Sequence, residues 1–566
     1  MRPEGRPGEL FAAFSRINAR AFRDDRLVSC PVLSKSPDNG DVLRHFLAPG
    51  PRRPRGPLFL PVTVLRYAAA NVGHLLFMLC TALFIRLLHF PMPAALRTRT
   101  GSRSANETAN ADGELLILDT FAVLPSLARE GAYRELYLVG LEDAVRAAGR
   151  ETLTLSRLYG SRDPRVLWKA LRVLARKGDA LIEVHLLTCG DWARLVLHML
   201  LYPVSLARLV RSLNKPEEEC IREALIDCAG QCVLIGESRR LAARRLAFLL
   251  SSENSLQSPN ATAAPAHPAR IISWYENQTV NKAFQRGLAQ AENEGARHVR
   301  VTGAQLFIWP DNLLNNHADD VEAELGLVPD CVLVNGPYFL PAHSRQNYAV
   351  GPALRYGDIF RSGVHRAGDG NAGCGAGNDP RTPQISRAAY AGKGPRSRHT
   401  SPVLVLLSYH PEETRRVLRL VQPAATDNPA AFAYRFHPAT RIEDFASLLP
   451  PGARLDRGPL RESLDAAGAV IGAGSGALVE AAAVGIPVLA VEDPSGIPGL
   501  GLNYLPPYGK GALWESVRNP EEIAPALAGL RARLTDPERP AEVRAFRDLL
   551  FCEPTPERIR DSFNLG

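Results

Sequence analysis

The residues best suited to chemistry stand late in the chain. In AGAVIGAGSGALVEAAAVGIPVLAVED (467–493), an apolar strand runs into Gly472-Ala473-Gly474-Ser475-Gly476 and an Ala-rich helix follows. A glycine loop that opens a helix leaves backbone N–H groups unpaired, and the helix dipole adds positive potential, so the pair suits an anion such as phosphate. Ser475 could donate its hydroxyl to that anion or cap the helix. A tight strand-to-helix turn with no ligand would carry the same letters. Gly472-x-Gly474-x-x-Ala477 also matches a dinucleotide fingerprint, with Glu492 at the end of the next strand. Against a nicotinamide cofactor, the motif comes late in its domain, and Gly485 and Pro487 close the helix early.

The preceding strand ends in Tyr434-Arg435-Phe436-His437-Pro438. His437 is expected at the carboxyl edge of the sheet, beside the glycine loop if the two strands are neighbours. An imidazole there can donate to a phosphate while Pro438 fixes the turn. Glu480, five residues beyond Ser475, could accept from ribose hydroxyls or remain a solvated helix residue. In the first half, Trp274-Tyr275-Glu276-Asn277-Gln278 follows a strand, which puts Glu276 at a sheet edge. Asp119 ends an earlier apolar run. Asp319-Asp320 lies in a helical-looking stretch expected to face solvent, so no DxD-type metal motif stands at a strand end.

The elements that must hold these residues alternate. Apolar runs are read at Glu114–Leu118, Arg134–Val139, Thr152–Leu155, Arg270–Trp274, His298–Val301 and Cys331–Val334, with helical stretches between them. The rhythm restarts at Pro402–Leu407, Ala431–Phe436, Gly468–Ile471 and Ile486–Val491. Such alternation predicts α/β architecture with parallel sheets and crossover helices. The expected division is an appendage over 1–113, a Rossmann-like domain over 114–360, a low-complexity linker over 361–401, and a second Rossmann-like domain over 402–566. Two doubly wound domains facing a cleft would present their strands' carboxyl ends to a ligand.

Composition narrows the partners. The 566 residues carry a net charge of +8 and a pI near 9.1, compatible with anionic lipid, a phosphorylated substrate or an Arg-rich proteome alone. No nucleic-acid-binding signature is present, so nucleic acid is not an expected partner. The nine cysteines are scattered and lack zinc spacing, which points to reduced core thiols and no metal site. Residues 58–90 are apolar, with 19 uncharged residues between Arg66 and Arg86, close to the length of a membrane span. Basic flanks suit an interfacial helix equally, and a buried helix is the third reading. Trp192–Leu213 reads as a basic amphipathic helix able to lie on a membrane.

A strand-end His-Pro followed by a strand and G-x-G-S-G-x-x-x-E-A-x-x-x-G-x-P-V resembles the C-terminal domain of GT-B fold glycosyltransferases of bacterial surface-carbohydrate and capsule biosynthesis. Asp330-Cys-Val-Leu-Val-Asn-Gly-Pro and Val350-Gly-Pro-Ala-Leu-Arg resemble the end of the N-terminal domain of that fold. The likeness covers about 270–510 well, 114–270 loosely and the first 110 residues not at all. It implies a metal-independent glycosyltransferase with no resident cofactor. The nucleotide-sugar donor, with a slight leaning to CMP-linked ones, would be held by His437, Pro438, Gly472, Gly474, Ser475, Gly476 and Glu480. A glycan or glycolipid acceptor would face the first domain, with Glu276, or Asp119 in its place, as general base and Asn277 and Gln278 on acceptor hydroxyls. The implied location is the cytoplasmic side of the inner membrane. A nucleotide-sugar epimerase, a CDP-polyol phosphotransferase or a non-catalytic accessory protein of polysaccharide assembly would use the same scaffold.

Overall fold

Short runs of Val, Ile and Leu between amphipathic helices build two sheets, each parallel throughout. The structure is a computed structural model that describes residues 6–35, 59–94, 96, 114–251, 269–310, 313–341, 346–361, 401–408, 410–438, 440–492 and 504–565. It divides into two compact units. The first comprises 1–307, 311–355 and 551–566, and the second 308–310 and 356–550.

The first unit holds seven strands: β1 (Leu115–Val123), β2 (Glu151–Tyr159), β3 (Ala180–Ile182), β4 (Arg270–Trp274), β5 (Arg300–Gln305), β6 (Cys331–Val334) and β7 (Tyr348–Val350). Their order is β3-β2-β1-β4-β5-β6-β7. Successive residues of a strand point to opposite faces, and here both faces are covered. Leu115 and Ile117 join a core with Leu246, Phe284 and Leu288 of two helices, Leu234–Ser251 and Thr279–Asn293. Leu116 and Leu118 join the opposite core with Leu141, Val145, Ile559 and Phe563. A sheet buried on both faces gives continuous apolar strands rather than alternating ones, as the sequence of β1 shows.

Several sequence expectations change here. Arg134–Val139 is a loop, not a strand. The Glu135 carboxylate accepts from Tyr137 N (2.8 Å), Leu138 N (3.0 Å) and Thr120 Oγ1 (2.9 Å), and these local bonds compete with a ladder. The start of the chain is not an appendage to the unit. The Arg6–Ala21 helix buries Leu10, Phe14 and Ile17 in a core with Leu206, Leu209 and Leu225. Residues 551–566, expected in the second domain, belong to the first unit, where Arg270 donates to Phe563 O and Asn564 O at 3.0 Å each. Asp319 does not face solvent. It is buried, caps the Asp320–Glu324 helix and pairs with Lys35 at 3.3 Å. The expected linker, 361–401, lies outside the described residues except at its two ends.

The second unit holds β8 (Val403–Leu407), β9 (Phe432–Phe436), β10 (Arg454–Leu455), β11 (Ala469–Gly472), β12 (Val488–Val491) and β13 (Trp514–Val517), in the order β10-β9-β8-β11-β12-β13. Val403, Val405, Ile471 and Leu489 pack with Val417 and Val421 of the Pro411–Asp427 helix and with Leu527 of the Ile523–Ala532 helix. The protein is therefore α/β, with two doubly wound parallel sheets and an apolar helix, Phe59–Leu87, long enough to cross a membrane.

Candidate functional site

In an open parallel sheet, ligands bind beyond the carboxyl ends of the strands where the strand order reverses. That point lies between β1 and β4 in the first unit and between β8 and β11 in the second.

In the first unit, Glu276 stands two residues past the end of β4. Its carboxylate is half-buried and accepts from the indole N–H of Trp274 (2.7 Å) and the side-chain amide of Gln278 (2.8 Å). The turn that presents it is fixed from below. Asn277 adopts φ +51°, unusual for a residue other than glycine, and is fully buried. Its side chain accepts from Tyr275 Oη (2.9 Å) and donates to Glu322 (3.0 Å), so it is committed to the fold rather than to acceptor hydroxyls. Asn281, at the start of the next helix, accepts from the backbone of Glu276 and Gln278.

Asp119 has a different place. It is fully buried in β1 opposite Ser273 of β4. Arg157 holds both its oxygens (3.0 and 2.8 Å), Ser273 donates at 2.6 Å, and Arg239 pairs with Oδ1. Burial alone would raise its pKa. The two guanidiniums and the donated hydrogen bonds outweigh burial and hold it below the ordinary carboxylate range. A carboxylate so enclosed keeps its charge and organises the strand ends. Of the two acids proposed from the sequence, Glu276 alone sits at a partly open edge.

Around Glu276 the sequence reading missed a belt of aromatic rings. Tyr159 lies 5.7 Å from Phe121, Phe121 5.4 Å from Tyr137, Tyr137 5.0 Å from Trp274, and Trp274 5.4 Å from Phe307, centroid to centroid. Arg355 is exposed and lies over the rings of Tyr137 (5.4 Å) and Trp274 (5.6 Å). Phe121, Tyr159 and Trp274 stand in the last three residues of their strands, a signal present in the sequence but not recognised there. Trp274 is buried, and Arg157 lies over Phe121 as Arg355 does over Tyr137, so the ring of this belt that offers an exposed face for stacking is Tyr159.

In the second unit, Ser475 is the N-cap of the Gly476–Ala483 helix, and its Oγ accepts from Ala477 N at 3.3 Å. Gly474 adopts φ +55°. The loop is thus the strand–glycine turn–helix expected, with Ser475 engaged as a cap. His437 does not adjoin it, because β8 separates β9 from β11. Neighbouring parallel strands lie about 4.8 Å apart, so the two strand ends are about 10 Å apart. His437 and Pro438 are exposed at the end of β9. Water reaches the imidazole, yet its partial burial lowers the pKa and favours the neutral ring. Glu480 is half-buried on the short helix.

The β8 end, between those two, was not read from the sequence as part of the site. Ser408 Oγ accepts from His410 N (3.1 Å), and the Pro411–Asp427 helix begins there. Glu413 of that helix reaches the glycine loop, where a Cβ on Gly474 would collide with its carboxylate. Its Oε2 is out of solvent with no hydrogen-bond partner among the described residues. The phosphate position expected at this loop therefore has a carboxylate against it. Glu492, at the end of β12, is held by Arg518 at 2.7 Å. Among the described residues no group of three His, Cys, Asp or Glu side chains could hold a metal.

No family model matches the chain. No curated protein matches it either. Solved structures do. The chain is similar to CalG4, the calicheamicin glycosyltransferase (16% identity, TM-score 0.34, 80% of this chain and 97% of that one). It is similar also to the glycosyltransferase SnogD from Streptomyces nogalater (14%, 0.39, 80% and 100%). A third is the UDP-GlcNAc 2-epimerase of Methanocaldococcus jannaschii in complex with UDP-GlcNAc and UDP (10%, 0.39, 80% and 100%). At these TM-scores none of the likenesses bears on what the chain does.

Proposed function

We propose that the protein is a glycosyltransferase that moves a sugar from a nucleotide-activated donor to a glycan or glycolipid acceptor. One observation supports it: a glycine loop that opens a helix stands at the strand-order switch point of one doubly wound sheet, and Glu276 stands at that of the other. The second unit offers backbone N–H groups at a glycine loop and helix N-terminus for a nucleotide phosphate, once the Glu413 carboxylate gives way, with Glu480 on the ribose and His437 and Pro438 on a more distant part of the donor. The first unit offers an oriented carboxylate, Glu276, beside a belt of rings whose exposed member, Tyr159, suits an acceptor.

In a direct displacement, Glu276 takes the proton of the acceptor hydroxyl as its oxygen bonds to the anomeric carbon. The bond from that carbon to the phosphate oxygen breaks, and the nucleotide leaves with the electron pair. Helix-terminal N–H groups would stabilise the leaving charge without a metal ion. The donor is named only by class, with CMP-linked sugars the first to test, and an acceptor destined for the cell surface goes with this reading.

The test is thermal stabilisation by CMP, CDP, UDP, GDP and NAD, because a ligand that binds the native state raises its midpoint. One nucleotide should stabilise the wild type, and Ser475→Ala and Gly474→Val should lose the shift. With that nucleotide identified, Glu276→Gln should keep the shift but lose transfer from the corresponding sugar donors about 10²–10⁴-fold. A shift with NAD alone, or with none of the five, overturns the proposal. Binding with turnover unaffected at Glu276 removes that residue from the reaction.

A further inference from the structure

The Phe59–Leu87 helix is long enough to cross a bilayer, yet it is fastened along its length to the first unit. Asn71, fully buried, accepts from Val233 N (3.0 Å) and Leu234 N (3.2 Å) at the start of the Leu234–Ser251 helix. Tyr67 Oη donates to Met199 O at 2.8 Å. Further on, Met78 packs with Leu195 and Leu234, and Ile85 with Leu167 and Leu171. Phe84 meets Trp168 edge to face at 5.1 Å. To span a membrane the helix would have to break all of these, strip a polar cap from another helix and expose the apolar core beneath.

Its outer side is the reverse. Val72, Leu76, Leu79, Leu83 and Leu87 recur every three or four residues and are exposed, Leu83 by 53%. The Cys189–Ser212 helix runs beside it, since the rings of Tyr67 and Tyr202 stack at 6.1 Å, and it too turns an apolar stripe outward. Leu197, Leu200 and Val204 form that stripe, with Leu200 63% exposed. Arginines close both stripes: Arg66 and Arg86 on the first helix, Arg194, Arg208 and Arg211 on the second, all exposed. The first helix has no acidic residue, and the only one of the second, Asp191, is buried in its N-terminal cap.

We infer that these two helices together form a monotopic membrane face that lies in the plane of an anionic bilayer. The leucines enter the acyl boundary, the arginines reach phosphate headgroups, and neither helix crosses. Two adjoining apolar stripes with cationic ends and no exposed acid match that interface in both polarity and charge. Each face carries five arginines, of which Arg194 is paired with Asp191 at 3.4 Å, so a second copy of the chain would have to bring eight other arginines together across one contact, and this favours lipid over self-association. The inference does not depend on the transferase reading.

The test uses the full-length protein and vesicles of phosphatidylcholine alone or with 30% phosphatidylglycerol. The wild type should float with the anionic vesicles and release with rising salt. Arg208→Gln with Arg211→Gln should lower binding to them about 30-fold, at roughly 1 kcal/mol per cation, and change little on neutral vesicles. Leu76→Glu with Leu83→Glu, and separately Leu197→Glu with Leu200→Glu, should abolish flotation with helical content unchanged. With Cys80 and Cys189 first replaced by Ser, thiols at Leu60→Cys and His89→Cys should both react with an impermeant maleimide from outside. Protection of one end alone shows a span and overturns the in-plane arrangement. Wild-type protein that does not float, or leucine variants that bind as before, overturn the membrane face. A wild-type dimer that the same variants split, without lipid dependence, assigns the face to a second copy instead.

Discussion

Asp119 and Glu276 show how position assigns work to two carboxylates of the same unit. Asp119 has two guanidiniums and a hydroxyl on its oxygens and is closed to solvent, whereas Glu276 is held by two neutral donors at the sheet edge. Glu413 is a third case. A carboxylate beside a glycine loop lies where a phosphate would gain most from the helix N-terminus, and like charges repel by about 1 kcal/mol at 4 Å even in water. Replacing it by the neutral isostere should therefore tighten nucleotide binding. Glu413→Gln is expected to lower the Kd about fivefold in calorimetric titration with the nucleotide that stabilises the wild type. Unchanged or weaker binding would remove this loop as the phosphate position.

Among the elements, the Leu234–Ser251 and Thr279–Asn293 helices position the site from beneath. The first supplies Arg239 to Asp119, and the second carries Asn281, which ties down the turn of Glu276. They pack closely because Gly287 has no side chain; a Cβ there would meet the Arg240 carbonyl and the Ala243 methyl. Helices interlocked at a backbone contact accept extra volume poorly, and overpacking costs about 1–3 kcal/mol. Gly287→Ala should lower the thermal midpoint by several degrees and, by shifting Asn281, reduce turnover more than nucleotide binding. An unchanged midpoint would show that the helices are free to part there.

For the whole molecule, the acid stability of the first unit should follow a buried charge cluster that fastens the N-terminal segment. Glu322 contacts both Lys35 and Lys282 at 2.9 Å. Burial opposes its charge, but the two ammonium groups and the Asn277 amide bring its pKa from about 4.5 down to about 2. A carboxyl group depressed in the folded state stabilises fully above its unfolded pKa and loses that contribution as protons bind. The midpoint should therefore fall between pH 4.5 and 2 more steeply in the wild type than in Glu322→Gln, which starts lower. Parallel curves would mean that Glu322 is not the group responsible. At neutral pH the +8 net charge acts the other way, favouring anionic surfaces over self-association.

The alternating strands and helices, the apolar helix near residue 60 and the glycine turn before a short helix were legible in the chain, because periodicity and glycine chemistry are local properties. Glu276 was found at a strand end for the same reason. The order of strands is not local. It placed β8 between His437 and the glycine loop, brought Glu413 to that loop, and set Asp119 against Arg157 and Arg239, which lie 38 and 120 residues away. Only the packed structure gathered five rings from separate segments into one belt, returned the last residues to the first unit and committed one side of the apolar helix to the core. Such outcomes depend on which surfaces meet, and a sequence states what each surface is without stating its partner.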